Sequence, residues 1–241
     1  AIILVMVYFL LHETSVTTKS FSFHQVRAHY GVLVKHRLVL STVVLGGGLV
    51  SFMLLFNIVA PFFVQHILGY SALEYGKVAF LIGVAWFVGT MISKQLVSVE
   101  LIKKVQFSLL LILIFSIFTF ISGVTFRVSL FGIMLSAMLI VSAAGVVFPA
   151  VISRVMQLPL GMPGTVSSFL FSGMWVVGAV ITSLGSLLKT HSIVPLYVVY
   201  VALSLFLILV FYRVYRLAIK TQREHAVRAA SITDKTLVFE C

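Results

Sequence analysis

The stretch VQFSLLLILIFSIFTFISGVT, residues 105–125, contains no Asp, Glu, Lys or Arg and is apolar at almost every position. An α-helix rises about 1.5 Å per residue, so a helix of this length spans roughly the 30 Å hydrocarbon core of a bilayer. A barrel strand would alternate apolar and polar residues over about 10 positions, and this stretch does not. It therefore predicts a transmembrane helix, whose backbone hydrogen bonds are satisfied within the helix itself.

The same lack of charge recurs along the chain. The whole sequence is 61% hydrophobic and 10% charged, whereas a soluble domain is about half apolar and about a quarter charged. The expected fold is all-α, a polytopic membrane helical bundle. Charge-free stretches also occupy 38–73, 78–93, 128–153, 155–188 and 190–212. Six full spans are predicted near 38–66, 75–97, 105–125, 129–152, 165–188 and 193–213.

These spans divide the chain into four parts. Residues 1–11 are too short to cross a bilayer, and they predict the last part of a further helix that begins outside this sequence. Residues 12–37 are predicted to form a cytoplasmic linker or interfacial segment. Residues 38–213 form the six-helix bundle, and residues 214–241 form a basic cytoplasmic tail.

The basic residues predict the orientation of the bundle. All 17 Lys and Arg except Lys77, Arg127 and Lys189 fall on one side of the predicted spans. Positive residues collect on the cytoplasmic side, so the linker, the tail and the turn containing Arg154 are predicted to be cytoplasmic. The formal net charge of +11 thus flanks spans instead of forming one basic face. It predicts contact with a lipid bilayer and not with nucleic acid.

The acidic residues and histidines lie in loops, at span edges or in the tail. Carboxylates within spans are the usual proton relays, so any proton-coupling carboxylate is expected to lie outside this sequence. The histidines lack ligand-like spacing, and the lone Cys241 has no partner. No enzyme activity, metal site or cofactor is therefore predicted. The six acidic residues, all in loops, at span ends or in the tail, are Glu13, Glu74, Glu100, Glu224, Asp234 and Glu240.

Four polar or aromatic residues within the spans are candidates for a substrate pathway. Asn57 needs a partner or water at membrane depth, so it either faces a cavity or makes an interhelical hydrogen bond. Trp86 and Trp175 lie away from the interfacial belt in which Trp normally collects. They could stack on an aromatic or cationic compound, although packing explains them equally well. Ser142 completes the set.

Glycine and proline mark positions where helices pack closely, bend or begin. Pro61 removes a hydrogen bond in the outer third of the first full span, and Pro149 lies near the end of the fourth. Both are candidates for a kink involved in gating. The run Gly46–Gly48 predicts close helix packing or a flexible point. After the break at Pro163 and Gly164, Thr165 is the predicted N-cap of the next helix.

Three stretches resemble, in order, parts of the major facilitator superfamily. LLHET (10–14) resembles the end of the sixth helix of its drug transporters, with His12 in place of a proline. Residues 56–96 are similar to the seventh and eighth helices of the Bcr/CflA type. GVVFPAVISRVMQLPLGMPGTVSS (145–168) resembles the junction of the tenth and eleventh helices. An outer turn of that type is matched by Gly69, Ser71, Tyr75 and Gly76.

This resemblance implies a transporter of twelve helices in two halves that rock around a midplane site. The present chain would then be the end of the sixth helix and the whole second half. The superfamily often carries a G-x-x-x-[DG]-R signature after the eighth helix. Here Gly89 is followed by Ser93 and Lys94 at the matching places, which leaves a cation without its acidic partner. Gly89 and Lys94 are therefore the remaining gating candidates.

The resulting hypothesis is the C-terminal half of a drug/proton antiporter of the bacterial inner membrane. It implies export of drugs or small amphipathic molecules by alternating access, with an N-terminal six-helix half, protons and a small-molecule substrate as partners. One alternative is a half-transporter that needs a separate partner chain. Another is a non-functional membrane remnant of a split transporter gene.

Overall fold

The computed structural model describes residues 22–125, 129–158, 161–187 and 193–216. The partial helix predicted at 1–11, the LLHET motif and nearly all of the predicted tail lie outside these residues. Within them, every regular element is a helix. The helices are α1 (Phe23–Lys35), α2 (Arg37–Phe62), α3 (Ala72–Gln95), α4 (Leu101–Thr125), α5 (Leu130–Met156), α6 (Pro163–Ser186) and α7 (Val194–Val210).

Short irregular turns extend three of these helices. A π-helical turn at Phe63–Ile67 continues α2, a 3₁₀ turn at Leu96–Ser98 continues α3, and a π-helical turn at Phe211–Tyr215 continues α7. With these extensions, the six helices α2 to α7 are long and apolar enough to cross a membrane in the described part of the chain. The all-α polytopic bundle and its six predicted spans are thereby confirmed.

Three of the described helices begin at a residue whose side chain accepts a hydrogen bond from a free backbone N–H group. Ser71 and Glu74 form a reciprocal capping box at the start of α3, and Ser129 accepts from the N–H of Gly132 at the start of α5. The N-cap predicted at Thr165 is wrong, because α6 already begins at Pro163. Proline fits the first helical position, where its fixed φ suits the helix and its missing N–H costs no hydrogen bond.

Helix α2 is the centre of the bundle. It packs against α5, α6 and α7, and most of its side chains are buried. Helices α3, α4 and α6 instead expose large apolar side chains, such as Phe80, Phe107 and Val176. An apolar outer surface of this kind is stable in lipid and not in water, which agrees with a membrane-embedded bundle.

Glycines bring two helix pairs into backbone contact. In the α2–α6 pair, a Cβ on Gly47 would lie 2.8 Å from the carbonyl oxygen of Met174. In the α3–α5 pair, a Cβ on Gly89 would collide with the carbonyl oxygen of Ser142, and one on Gly145 would lie 2.7 Å from that of Trp86. Close packing, one of the two interpretations of the Gly46–Gly48 run, is confirmed. Small residues are the usual means of close helix approach in membranes.

Candidate functional site: an aromatic cavity between two helix pairs

An apolar cavity of about 290 Å³ lies between the two glycine-mediated pairs. Helices α2, α3, α5 and α6 each contribute to its wall. The lining residues come from the central parts of α2, α3 and α6, so the cavity lies at mid-span. They are Val50, Met53, Trp86, Phe148, Phe171, Met174 and Trp175.

The glycine crossings explain the place of this cavity. The backbone of Trp86 lies against Gly145, and the backbone of Met174 lies against Gly47. In each pair, the backbones are therefore in contact next to a residue that lines the cavity. The space between the two pairs is lined by indole, phenyl, thioether and valine side chains.

The wall of the cavity is aromatic. Trp86 packs edge-on against Phe148, with ring centroids 5.2 Å apart. Trp175 lies in α6, in the other helix pair. It is 57% exposed, so much of its indole is not in contact with other side chains. The lining includes no charged side chain. Such a wall favours apolar or flat aromatic compounds, and its ring faces also attract a delocalised cation.

The two tryptophans are the predicted pathway residues that the structure brings together. They are also the only two tryptophans of the chain, so the whole intrinsic indole fluorescence of this protein originates at this cavity. Sequence reasoning gave each Trp a packing and a binding interpretation. Trp86 fits both, since it packs on Phe148 and lines the cavity, whereas the exposed Trp175 is poorly explained by packing.

Asn57 lies on the same face of α2 as Val50 and Met53, at spacings of three and four residues. Its side chain is exposed, and its amide oxygen accepts a hydrogen bond of 3.3 Å from the Tyr75 hydroxyl of α3. Pro61 follows one turn later and has no N–H to donate to the Asn57 carbonyl. The π-helical turn begins two residues after Pro61. The Asn57 side chain and its backbone carbonyl are therefore polar groups on the face of α2 that lines the cavity, one to two turns closer to the end of the helix.

Ser142 and Gly89 belong to the α3–α5 crossing and are not among the residues that line the aromatic cavity. The Ser142 hydroxyl donates to the carbonyl of Leu139 in its own helix, at 3.0 Å. The predicted role of Ser142 in a pathway thus has no contact with the cavity to support it. Gly89 permits the close approach of two backbones, and its part in gating stays a prediction.

Lys94 and Pro149 line a second cavity, of about 420 Å³, where α3 and α5 end and α4 begins. Lys104 and Arg154 also contribute to its wall. The two gating candidates are therefore brought together, but at one end of the bundle and away from the tryptophans.

Several cavity residues were not predicted from the sequence. Met53, Phe148, Phe171 and Met174 line the aromatic cavity, yet Met and Phe occur throughout the apolar spans. The available signal was their spacing relative to the tryptophans. Phe171, Met174 and Trp175 share one face of α6 at spacings of three and four residues.

The described residues contain no group of three or more His, Cys, Asp or Glu side chains that could hold a metal ion. What the geometry defines is a polytopic membrane helical bundle with an aromatic cavity between its helices. Comparison with models of known protein families, with curated proteins and with solved structures gives no significant match to this chain.

Proposed function

We propose that this chain is the C-terminal half of a secondary active transporter, and that the aromatic cavity is its part of the substrate pathway. The observation that carries the proposal is the convergence of Trp86 and Trp175 on one mid-span cavity. Transporter sites lie near the bilayer midplane, between helices that can move relative to one another. Four different helices meet at this cavity.

The chemistry of the wall suggests the substrate class. Aromatic and thioether groups with no charged lining residue favour lipophilic, flat aromatic molecules, including those with a delocalised positive charge. Such compounds match the drugs and small amphipathic molecules implied by the resemblance to the Bcr/CflA type. In the same proposal, the chain lies in the bacterial inner membrane, and an N-terminal half supplies the opposite wall and the proton-coupling group.

Two alternatives to this proposal remain, and the structure offers an observation in favour of the first. The chain could work as a half-transporter with a separate partner chain, since the 57% exposed Trp175 offers a surface for a second wall. It could also be an inactive remnant. Ligand binding at the tryptophans separates the remnant from the other two, because a remnant has no reason to retain a selective cavity.

Intrinsic fluorescence tests this proposal directly. The purified chain in detergent would be titrated with tetraphenylphosphonium and with an uncharged aromatic compound of similar size. We expect saturable changes in Trp emission in both single-Trp variants, Trp86→Phe and Trp175→Phe, because phenylalanine preserves the aromatic wall while leaving one reporter. The same half-saturation concentration in both variants would place the ligand at the shared cavity.

A matched pair of substitutions serves as the control. Val50→Phe fills the cavity, and Val84→Phe adds the same bulk on α3, where Val84 is 37% exposed and does not line the cavity. An extra group in an apolar pocket changes affinity by about tenfold or more, so Val50→Phe should weaken binding by that factor and Val84→Phe should not. Equal effects of the two substitutions, or a response of only one Trp, would refute the cavity as the binding site.

A further inference from the structure

The second cavity combines three cations with an apolar rim. Lys94 is exposed near the end of α3, Arg154 is half-buried near the end of α5, and Lys104 lies in the first turn of α4. Lys104 is only 7% exposed, and its ammonium group donates to the carbonyl oxygen of Ser93 at 3.2 Å. This hydrogen bond holds a positive charge in the cavity wall at a defined position.

Among the described residues, no Asp or Glu side chain lines this cavity. The ion pair present in the described residues joins Lys103 to Glu100, at 3.8 Å, and neither of these side chains lines the cavity. The C-terminal dipoles of α3 and α5 contribute roughly half a negative charge each, and the N-terminus of α4 contributes a similar positive one. The helix dipoles together contribute about half a negative charge, which is much smaller than the three positive charges of Lys94, Lys104 and Arg154. The wall of the cavity is therefore positive.

One hydroxyl group and the position of the cavity indicate which kind of anion fits. Ser93 lies in the wall beside the cations and carries a hydroxyl of the kind that completes a phosphate site, whereas the Ser153 hydroxyl donates to the carbonyl of Ala150 in its own helix. The cavity opens where spans end, which is the depth of lipid headgroups. Val97 and Val99 form part of its rim and are 76% and 37% exposed. An apolar rim beside a cationic wall suits a molecule with both a phosphate and acyl chains.

We infer that this cavity binds the phosphate of an anionic phospholipid headgroup from the surrounding leaflet. Basic pockets between membrane helices are typical sites for such headgroups. The bound phosphate would bridge α3, α4 and α5, and so stabilise the end of the bundle on which the charge distribution predicts the cytoplasm. The inference concerns this cavity alone and does not depend on transport.

Native mass spectrometry of the detergent-solubilised chain tests the inference. The protein would be titrated with phosphatidylglycerol and, separately, with phosphatidylcholine, and the lipid-bound fraction would be measured. Each Lys or Arg near a headgroup contributes roughly a fivefold change in affinity. We therefore expect Lys94→Gln with Arg154→Gln to weaken phosphatidylglycerol binding by tenfold or more and to leave the weak binding of phosphatidylcholine unchanged.

Lys103→Gln is the matched control, because it removes a cation from the same end of the bundle without altering the cavity wall. It should change phosphatidylglycerol affinity by less than about twofold, while Arg154→Lys should retain most of it. An unchanged helical circular dichroism spectrum verifies that the variants are folded. Equal losses in Lys103→Gln and in the double variant would show a diffuse surface attraction and overturn the site.

Inorganic phosphate distinguishes the two possible sources of the anion. At millimolar concentration in phosphatidylcholine-containing micelles, we expect it to compete poorly with phosphatidylglycerol, since it lacks acyl chains for the valine rim. If phosphate alone displaces phosphatidylglycerol and its binding is lost in the double variant, the occupant is a soluble anion and the lipid assignment is wrong.

Discussion

At the scale of single residues, Asn57 makes the interhelical hydrogen bond that was one of its two interpretations, and its role in a substrate pathway stays a prediction. The Tyr75 hydroxyl donates to the Asn57 amide oxygen, and the Asn57 side chain is nevertheless exposed. A polar group of this kind is costly at membrane depth unless it is paired or hydrated. One hydrogen bond leaves the NH₂ group of the amide available to water or to a substrate.

A double-mutant cycle of Asn57→Leu and Tyr75→Phe measures the hydrogen bond. Interhelical hydrogen bonds in membrane proteins average about 0.6 kcal/mol, so we expect a coupling free energy of that size in reversible unfolding by dodecyl sulfate. Tyr70→Phe, which alters an exposed tyrosine at the same end of the bundle, is the control. A coupling of zero would mean that the Asn57–Tyr75 contact contributes nothing to stability.

At the scale of helices, the α3–α5 pair depends on the absence of two side chains. Gly89 and Gly145 face each other, and a Cβ on Gly145 would lie 3.3 Å from the Cα of Gly89. Pro149 has no N–H to donate to the carbonyl of Gly145. At this crossing the two backbones are in contact, and α5 lacks one of its backbone hydrogen bonds. A helix that lacks such a bond bends more easily at that point.

Gly89→Ala tests this crossing. The new methyl group would collide with the Ser142 carbonyl, which is backbone and cannot rotate away. Overpacking of this kind costs about 1–3 kcal/mol, so we expect a loss of that size in the free energy of unfolding. Gly83→Ala is the matched control on the same helix, because a Cβ at Gly83 meets nothing within 4 Å. It should leave stability unchanged or raise it by up to about 1 kcal/mol. Similar losses in both variants would contradict a specific role of the crossing.

The helices themselves were predictable, and their pairing was not. Runs of bilayer length without charged residues predict membrane spans, and the run 105–125 lies within the observed helix Leu101–Thr125. Thr165 was misplaced as an N-cap because Pro163 was interpreted as a chain break, although proline is equally suited to a first helical turn. The glycines indicated close contacts, but a single sequence does not say which helix meets which.

At the scale of the whole molecule, the arrangement of helices determines what each residue does. Trp86 and Trp175 lie in α3 and α6, and they share a cavity only because α2–α6 and α3–α5 pack as neighbouring pairs. The environment of Lys104 also could not be predicted without the helix packing. In the sequence it is one of several basic residues that flank spans, whereas in the fold it is buried in the wall of a cationic cavity.

The distribution of carboxylates gives a prediction for the chain as a whole. Of the described residues, Glu74 caps the start of α3 and Glu100 lies at the start of α4, so neither lies at mid-span. Proton relays use carboxylates embedded in the membrane. We therefore expect the chain alone, reconstituted in liposomes, to bind lipophilic aromatic cations at its tryptophans without moving protons.

The measurement is the fluorescence of a pH-sensitive dye inside the liposomes, with an imposed pH gradient and added tetraphenylphosphonium. The rate of proton leak should equal that of protein-free liposomes, while Trp emission still responds to the ligand. A complete proton antiporter in the same lipid serves as the positive control. Ligand-dependent proton movement by this chain alone would show that the coupling group lies within these 241 residues. Proton movement that appears only after co-reconstitution with a six-helix partner would instead support the two-half transporter, because the partner would then supply the embedded carboxylate.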